Sequence, residues 1–157
     1  MTALVALLLV AAPRAEAGDH RGRFGFGFHA GLGDVAALSA RYALPTATPK
    51  VNVQLEINGG VAISSEAPLG LLVGGRLLYG VVAEDNLTLY GAAGAAYAQE
   101  SSWTGIRILP AMGAEFFLFG LENLGFGVEW GLQIDVGSEF ALRTVSGAPA
   151  VTVHYWF

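Results

Sequence analysis

Hydrophobic and polar residues alternate with a period of two along most of the chain. In LGFGVEWGLQIDV (124–136) every even position is apolar, whereas the odd positions hold only glycine, glutamate, glutamine or aspartate. Successive side chains of a β-strand point to opposite faces, so this pattern indicates strands with one apolar face. The same alternation predicts eight strands, over 24–32, 36–42, 51–61, 69–82, 87–98, 105–119, 124–136 and 151–157.

The connections between these strands alternate in character. ALPTATPK, AEDN and GLEN are compact segments rich in turn-forming residues, and they join strands two and three, four and five, and six and seven. Of the other four connections, only GSEFALRTVSG (137–147) is moderately long. Eight antiparallel strands with both chain ends on one side predict an all-β fold, a closed up-and-down barrel. Pro110 cannot donate to a ladder, and it predicts a bulge or a later start in the sixth strand.

Alternation alone leaves two barrels open, a soluble one with the apolar face inside and a membrane one with that face outside. The interior of an eight-stranded barrel is only just wide enough for side chains. It would be overfilled by the aromatic residues of the apolar face, which include Phe24, Phe26, Phe28, Phe116, Trp130, Tyr155 and Phe157. The strands also have about the nine to eleven residues that a tilted transmembrane strand needs, and closure satisfies the backbone. The pattern therefore favours a transmembrane barrel.

Composition narrows the class of protein further. The 157 residues predict one domain, and only 13% of them are charged, against roughly 25% in an ordinary soluble domain. A net charge of −5 and the lack of a basic cluster argue against a nucleic-acid partner. The chain contains no cysteine, which excludes disulfides and thiolate metal sites. The most apolar later segment, 69–83, carries Arg76 at its centre and does not resemble a membrane helix.

The first seventeen residues have the character of a secretory signal peptide. Residues 2–12 form a short apolar core, and Ala15-Glu16-Ala17 fits a small-x-small cleavage site. The usual basic residues before the core are missing, and an uncleaved anchor or a buried helix is the alternative. The expected organisation is a signal peptide over 1–17, a short tail over 18–22 and a barrel over 23–157.

The strand count, the two-residue repeat and the ending HYWF resemble the small eight-stranded outer-membrane barrels of Gram-negative bacteria, of the OmpA/OmpX type. In that family the last strand ends in an aromatic residue with a hydrophobic residue two positions earlier, which Phe157 and Tyr155 match. Thr152 stands where the family often has glycine. The resemblance implies a location in the outer membrane. It also implies two partners, the lipid bilayer and the assembly machinery that recognises the C-terminal strand.

In a membrane barrel the polar face points into the lumen. The predicted lumen cluster comprises Arg41, Glu56, Arg76, Tyr90, Arg107, Glu115, Glu129, Asp135 and His154, together with His29 and Gln133. In two antiparallel neighbouring strands, the numbers of directly opposed residues have a constant sum. If this sum is 132 for strands three and four, Glu56 lies opposite Arg76. A sum of 242 for strands six and seven pairs Arg107 with Asp135, whereas 244 would oppose Glu115 and Glu129 at a cost in energy. A sum of 205 for strands five and six pairs Tyr90 with Glu115.

These residues favour a structural role, because charges in a narrow lumen need partners and can plug the barrel. A regulated pore in which the ion pairs exchange is an alternative. A lipid A-modifying enzyme is another, but no catalytic, cofactor or metal site is predicted, because the histidines are scattered and His154 has no serine nearby in its strand. The runner-up is an adhesin or ligand-binding barrel acting through the 138–147 loop. Trp103 is expected to be an interfacial anchor, and Tyr42, Tyr79 and Tyr155 the opposite aromatic girdle.

Overall fold

The computed structural model describes residues 19–30, 36–48, 51–63, 69–84, 86–100, 103–144 and 149–157. Their secondary structure is β1 (Phe24–Ala30), β2 (Ala37–Ala43), β3 (Val53–Ala62), β4 (Gly70–Glu84), β5 (Leu87–Glu100), β6 (Trp103–Ile108), β7 (Ala111–Leu118), β8 (Leu121–Gly137), β9 (Phe140–Thr144) and β10 (Ala150–Trp156). Among these residues no helix has the length and hydropathy needed to cross a membrane. The predicted signal peptide, 1–17, lies outside the described residues.

The strands form one closed antiparallel barrel. Each strand from β1 to β5 pairs with the next, β6 and β7 both lie between β5 and β8, and β8 pairs with β10. The barrel closes because β10 also pairs with β1. β6 and β7 together form one interrupted strand of the wall, and so do β9 and β10. The wall therefore contains eight strands. This confirms the predicted fold class.

The interruption between β6 and β7 falls at Leu109-Pro110. The irregularity expected at Pro110 is observed, because this residue lacks an N–H and splits the strand predicted over 105–119 into β6 and β7. The wall nevertheless stays hydrogen-bonded at the break. The Leu109 N–H donates to the Gly94 carbonyl (3.0 Å), and the Leu132 N–H donates to the Pro110 carbonyl (2.9 Å).

The segment 137–147, expected to be a loop, contains a further strand. Phe140–Thr144 forms β9 and pairs with Leu132–Val136 of β8 after a bend at Ser138 and Glu139. β8 is seventeen residues long, so its first half can pair with β10 while its second half pairs with β9. Residues 145–148 lie outside the described part of the chain.

The two faces of the wall carry opposite kinds of side chain. Outward residues are apolar and exposed, as at Trp130 (70% exposed) and Ile57 (67%). All seven aromatic residues assigned to the apolar face point outward. Apart from Trp156 and two leucines, the largest fully buried side chains are polar: Arg41, Arg107, His29, His154, Glu56, Glu115, Thr152 and Asp135. The predicted orientation of the two faces is confirmed.

Glycines on the inner face leave room for the long polar side chains. A Cβ atom on Gly113 would lie 2.5 Å from the Tyr90 ring, and one on Gly125 would lie 2.7 Å from Oε1 of Glu115. The register brings Gly113 beside the large Tyr90 side chain, because the two residues are direct cross-strand partners. The alternation of glycine and polar residues in the sequence is therefore a packing pattern.

Gly113→Ala is expected to lower the free energy of unfolding by about 1–3 kcal/mol, because the added methyl overlaps the Tyr90 ring. Gly59→Ala is the matched control, since Gly59 lies in β3 with no atom within 4 Å of the position that a Cβ would take. It is expected to change stability by no more than about 0.5 kcal/mol. Equilibrium denaturation of the refolded proteins measures both values, and equal stabilities would contradict this packing role of glycine.

Candidate functional site

The lumen is filled by three groups of side chains stacked along the barrel. We call the end where β1 begins and β10 ends the terminal end, and the opposite end the far end. The terminal layer is His20, Phe117 and Trp156. The central network is His29, Arg41, Glu56, Arg76, Tyr90, Glu115 and Glu129, and the far-end network is Glu100, Arg107, Gln133, Asp135 and Arg143.

Glu56 joins the two arginines of the central network. The ladders place Arg41 on β2 and Arg76 on β4 directly beside Glu56 on β3, which confirms the predicted sum of 132. Arg41 donates from Nε to one carboxylate oxygen of Glu56, and Arg76 donates from Nη2 to the other at 2.7 Å. Asn58 adds an amide hydrogen bond to Glu56 (2.8 Å). Three neighbouring strands are thus tied by one carboxylate.

Glu129 on β8 is contacted by side chains from three other strands. Arg76 donates to it from Nη1 (2.6 Å), the Tyr90 hydroxyl donates at 2.7 Å, and Nε2 of His29 lies 3.1 Å away. Arg41 also crosses the lumen and contacts Glu115 of β7 at 3.2 Å. The two arginines therefore bridge β2, β3 and β4 to β7 and β8, and the network fills the cross-section of the barrel.

The central network contains three carboxylates, two guanidinium groups and one imidazole, all of them buried. An isolated buried charge is costly, whereas charges that are paired and hydrogen-bonded are tolerated. Every carboxylate in the network contacts at least one arginine. The arrangement can fix the distance between opposite walls, and losing one member would leave its partner uncompensated.

The predicted pairing of Tyr90 with Glu115 does not form. Tyr90 pairs with Gly113 and Glu115 with Thr88, a sum of 203, so the predicted sum of 205 and the Tyr90–Glu115 contact are wrong. The register differs by one two-residue step, which keeps the faces but changes the partners. Glu129 lies opposite Gly113, so the like-charge pairing at a sum of 244 is avoided as expected.

The far-end network confirms the other predicted ion pair. Arg107 faces Asp135 and donates from Nε at 2.8 Å, in agreement with the sum of 242. Arg107 also binds Glu100 through both terminal nitrogens (2.6 and 2.9 Å). Asp135 accepts further hydrogen bonds from Gln133 and from Arg143, of which the latter is partly exposed at the rim.

Trp103 belongs to this end of the lumen. Its ring lies over the Arg107 guanidinium, 5.3 Å from the ring centroid, and its Nε1 donates to the Glu139 carbonyl. It also packs against the buried cluster that includes Leu72 and Leu109. The expectation of an outward interfacial anchor is therefore corrected, because the parity of β6 places Trp103 on the same face as Arg107.

The predicted tail contributes to the terminal layer. The His20 ring lies between Trp156 (centroids 4.8 Å apart, stacked) and Phe117 (4.7 Å). Arg23 holds this segment by donating to the carbonyls of Trp156 and Phe157, both at 2.9 Å. Burial, together with the nearby charge of Arg23, lowers the pKa of His20 to about 4. This role of His20 was not predicted from the sequence.

Ser39 and His154 form a pair that was not predicted either. Both side chains are buried, and Oγ of Ser39 lies 2.8 Å from Nε2 of His154. The two strands flank β1, where Gly27 is the direct partner of both residues and leaves the space between them. Nδ1 of His154 has no hydrogen-bond partner among the described residues, so the pair lacks the orienting acid of a catalytic triad.

Within the described ranges, no three histidine or acidic side chains are grouped as a metal site. Comparison of the chain with protein-family models, with curated proteins and with solved structures found no match. The interpretation of the lumen therefore depends on its own geometry.

Glu129→Gln is expected to lower the free energy of unfolding by about 3 kcal/mol or more, because a neutral amide leaves the charge of Arg76 incompletely balanced in the lumen. The control is the same change at Glu122, an exposed residue at the start of β8 that accepts a hydrogen bond from the Gly120 N–H. Glu122→Gln should stay within about 0.5 kcal/mol of the parent. Denaturation midpoints compare the two, and equal effects would contradict a central role for Glu129.

Stability is expected to fall as the pH drops from 7 to 4. Because the folded protein holds the pKa of His20 near 4 and the unfolded value is 6.5, the unfolded state binds the extra proton first over this window. The contribution is of the order of 1 kcal/mol or more. His20→Phe keeps the ring stack and removes the titration, so its denaturation midpoint should fall less between pH 7 and pH 4 than that of the parent. Identical pH profiles would exclude His20 as the cause.

Proposed function

We propose that the protein is an integral barrel of the Gram-negative outer membrane, with a plugged lumen and a non-enzymatic, structural role in the envelope. The observation that carries the proposal is the inverted distribution of side chains, with apolar residues exposed and charges buried. Thirty-two of the described large hydrophobic side chains are exposed. A soluble monomer rarely exposes a continuous apolar surface of this kind, whereas hydrocarbon solvates it.

The closed backbone supports the same proposal. A bilayer core offers no water to unpaired N–H and C=O groups, so a spanning sheet has to close on itself. Here β10 pairs with β1, and the break at Pro110 is bridged by backbone hydrogen bonds. The barrel therefore meets the main requirement that a membrane places on strands.

The filled lumen favours a structural role over transport. The terminal layer, the central network and the far-end network occupy successive levels of the barrel, and an eight-stranded interior has little space beyond its side chains. Conduction would require the ion pairs of Arg41 and Arg76 to exchange partners. The regulated pore and the lipid A-modifying enzyme stay predictions.

The C-terminal strand supports the expected partnership with the assembly machinery. Tyr155 and Phe157 both point outward, and their rings meet edge to face with centroids 5.0 Å apart. Phe26 of β1 extends this aromatic surface, with its ring 6.1 Å from that of Phe157. We propose that this patch, at the seam where the barrel closes, is the assembly signal.

Adhesion through 138–147 stays a prediction. The part of this segment that the structure describes is largely β9, in which Phe140 and Leu142 are exposed. Pairing with β8 explains the strand conformation of residues 140–144, so a bound partner is not needed to explain it.

The proposal is tested by fractionation and heat-modified migration. The expressed protein should sediment and float with outer membranes, and it should migrate differently in SDS gels before and after boiling. A protein found in the soluble fraction, with identical migration in both conditions, would overturn the proposal.

Ile57→Lys separates a membrane barrel from a soluble one. Ile57 lies in the middle of β3, so a lysine there should cost about 2–4 kcal/mol in a bilayer but almost nothing in water. Phe119→Lys, in the exposed turn at the terminal end, should cost at most about 1 kcal/mol. Unfolding from vesicles measures both variants. A harmless Ile57→Lys would count against insertion.

A further inference from the structure

The outward apolar surface contains an open groove, centred on β5. Most outward positions of the wall carry bulky residues, but β5 presents Gly91 and Ala93. Larger side chains of the neighbouring strands line the groove on both sides of these small residues. They are Leu77 and Tyr79 on one side, and Met112, Trp130 and Leu132 on the other. The groove has a volume of about 500 Å³.

The floor of the groove is backbone with few free polar groups. Gly91 adds no side chain, and no atom lies within 4 Å of the position its Cβ would take. Pro110 lines the groove at the strand break, where it has no N–H and its carbonyl accepts from Leu132. Water in such a groove would find few hydrogen-bond partners, so an apolar occupant is favoured.

A second recess adjoins the first one. It has a volume of about 300 Å³ and shares Met112 and Trp130 with the main groove, and Leu89 and Val128 contribute further apolar wall. The two recesses therefore lie on either side of a ridge formed by Met112 and Trp130. Both open onto the outward face, where Leu77, Leu89 and Val128 are exposed.

We propose that this groove holds one acyl chain of a membrane phospholipid. The proposal rests on the membrane location proposed above, because lipid chains reach this face only in a bilayer. Hydrocarbon gains little by leaving lipid for a flat apolar wall, so preference has to come from packing. A chain in the groove touches protein on its floor and on two walls, which multiplies the dispersion contacts that a flat surface offers.

The continuity of the groove with the exposed apolar surface selects a lipid chain as the occupant. The groove opens on the outward face of the barrel, and in a bilayer the apolar surface around it would contact lipid hydrocarbon. A second copy of the chain is the competing occupant. It would have to insert a ridge of side chains between Tyr79 and Trp130, and it is therefore treated as an outcome of the test.

Gly91→Leu tests the proposal by filling the groove. Gly59→Leu is the matched control, because Gly59 is also an outward sheet glycine with open space around its Cβ position, but it lies on β3 away from the groove. The parent and both variants are reconstituted into vesicles of dioleoyl phosphatidylglycerol and phosphatidylethanolamine. They are then extracted into mild detergent, and phospholipid per protein is measured after size-exclusion chromatography.

The parent and Gly59→Leu are expected to retain one phospholipid per barrel, and Gly91→Leu at least about tenfold less, which corresponds to 1.4 kcal/mol. Equal retention in all three proteins, or none in any, would overturn the assignment. So would a parent that elutes as a dimer and becomes monomeric in Gly91→Leu, since the groove would then hold a second copy.

Vesicle flotation and heat-modified migration are measured on the same samples before extraction. If the parent does not float with the vesicles, the proposed membrane location fails. If all three proteins float and shift on boiling, but retain lipid equally, only the groove assignment fails. The same migration assay checks that Gly91→Leu has folded.

Discussion

The pairing of charges across a narrow lumen is the constraint on which the rest of the structure depends. Arg41 and Arg76 each contact carboxylates on both sides of the barrel, and the contacts exist only if five strands, β2, β3, β4, β7 and β8, keep their registers. If one of these strands slipped by one residue against its neighbours, its charged side chains would move to the outer face. A slip of two would separate the direct neighbours Glu56 and Arg76. The network therefore specifies the register as well as filling the interior.

This constraint explains the glycine content of the inner face. A barrel of eight strands cannot hold an arginine or a tyrosine beside another side chain of ordinary size, so a glycine stands across from several of them. Gly94 beside Arg76, Gly113 beside Tyr90 and Gly25 beside Trp156 are examples from three parts of the wall. The bulky apolar residues then occupy the outer face, where the volume is not limited.

Period-two alternation was sufficient to predict the eight-stranded closed barrel and the faces of its predicted strands, but it did not predict β9 or the inward position of Trp103. Hairpin arithmetic also predicted Glu56 with Arg76 and Arg107 with Asp135. It failed by one two-residue step for Tyr90. β6 and β7 both pair with β5 at a sum of 203, so the register of the whole interrupted strand differs from the predicted one, and the break at Pro110 does not change it. Contacts between strands that are not neighbours, such as His29 of β1 with Glu129 of β8, join residues 100 positions apart and depend on closure. Ser39 and His154 were missed for the same reason, since they meet across a third strand.

The two ends of the lumen are filled by different kinds of side chain. At the terminal end the chain enters β1 and leaves β10 at the same place, so residues 19–23 are available to fold over the opening, and His20 stacks between Phe117 and Trp156. At the far end the described strands supply Trp103, Arg107 and Asp135. Protonation of His20 would place a charge in a buried site beside Arg23, and burial disfavours the charged form. Acid therefore acts on the terminal end of the plug through His20.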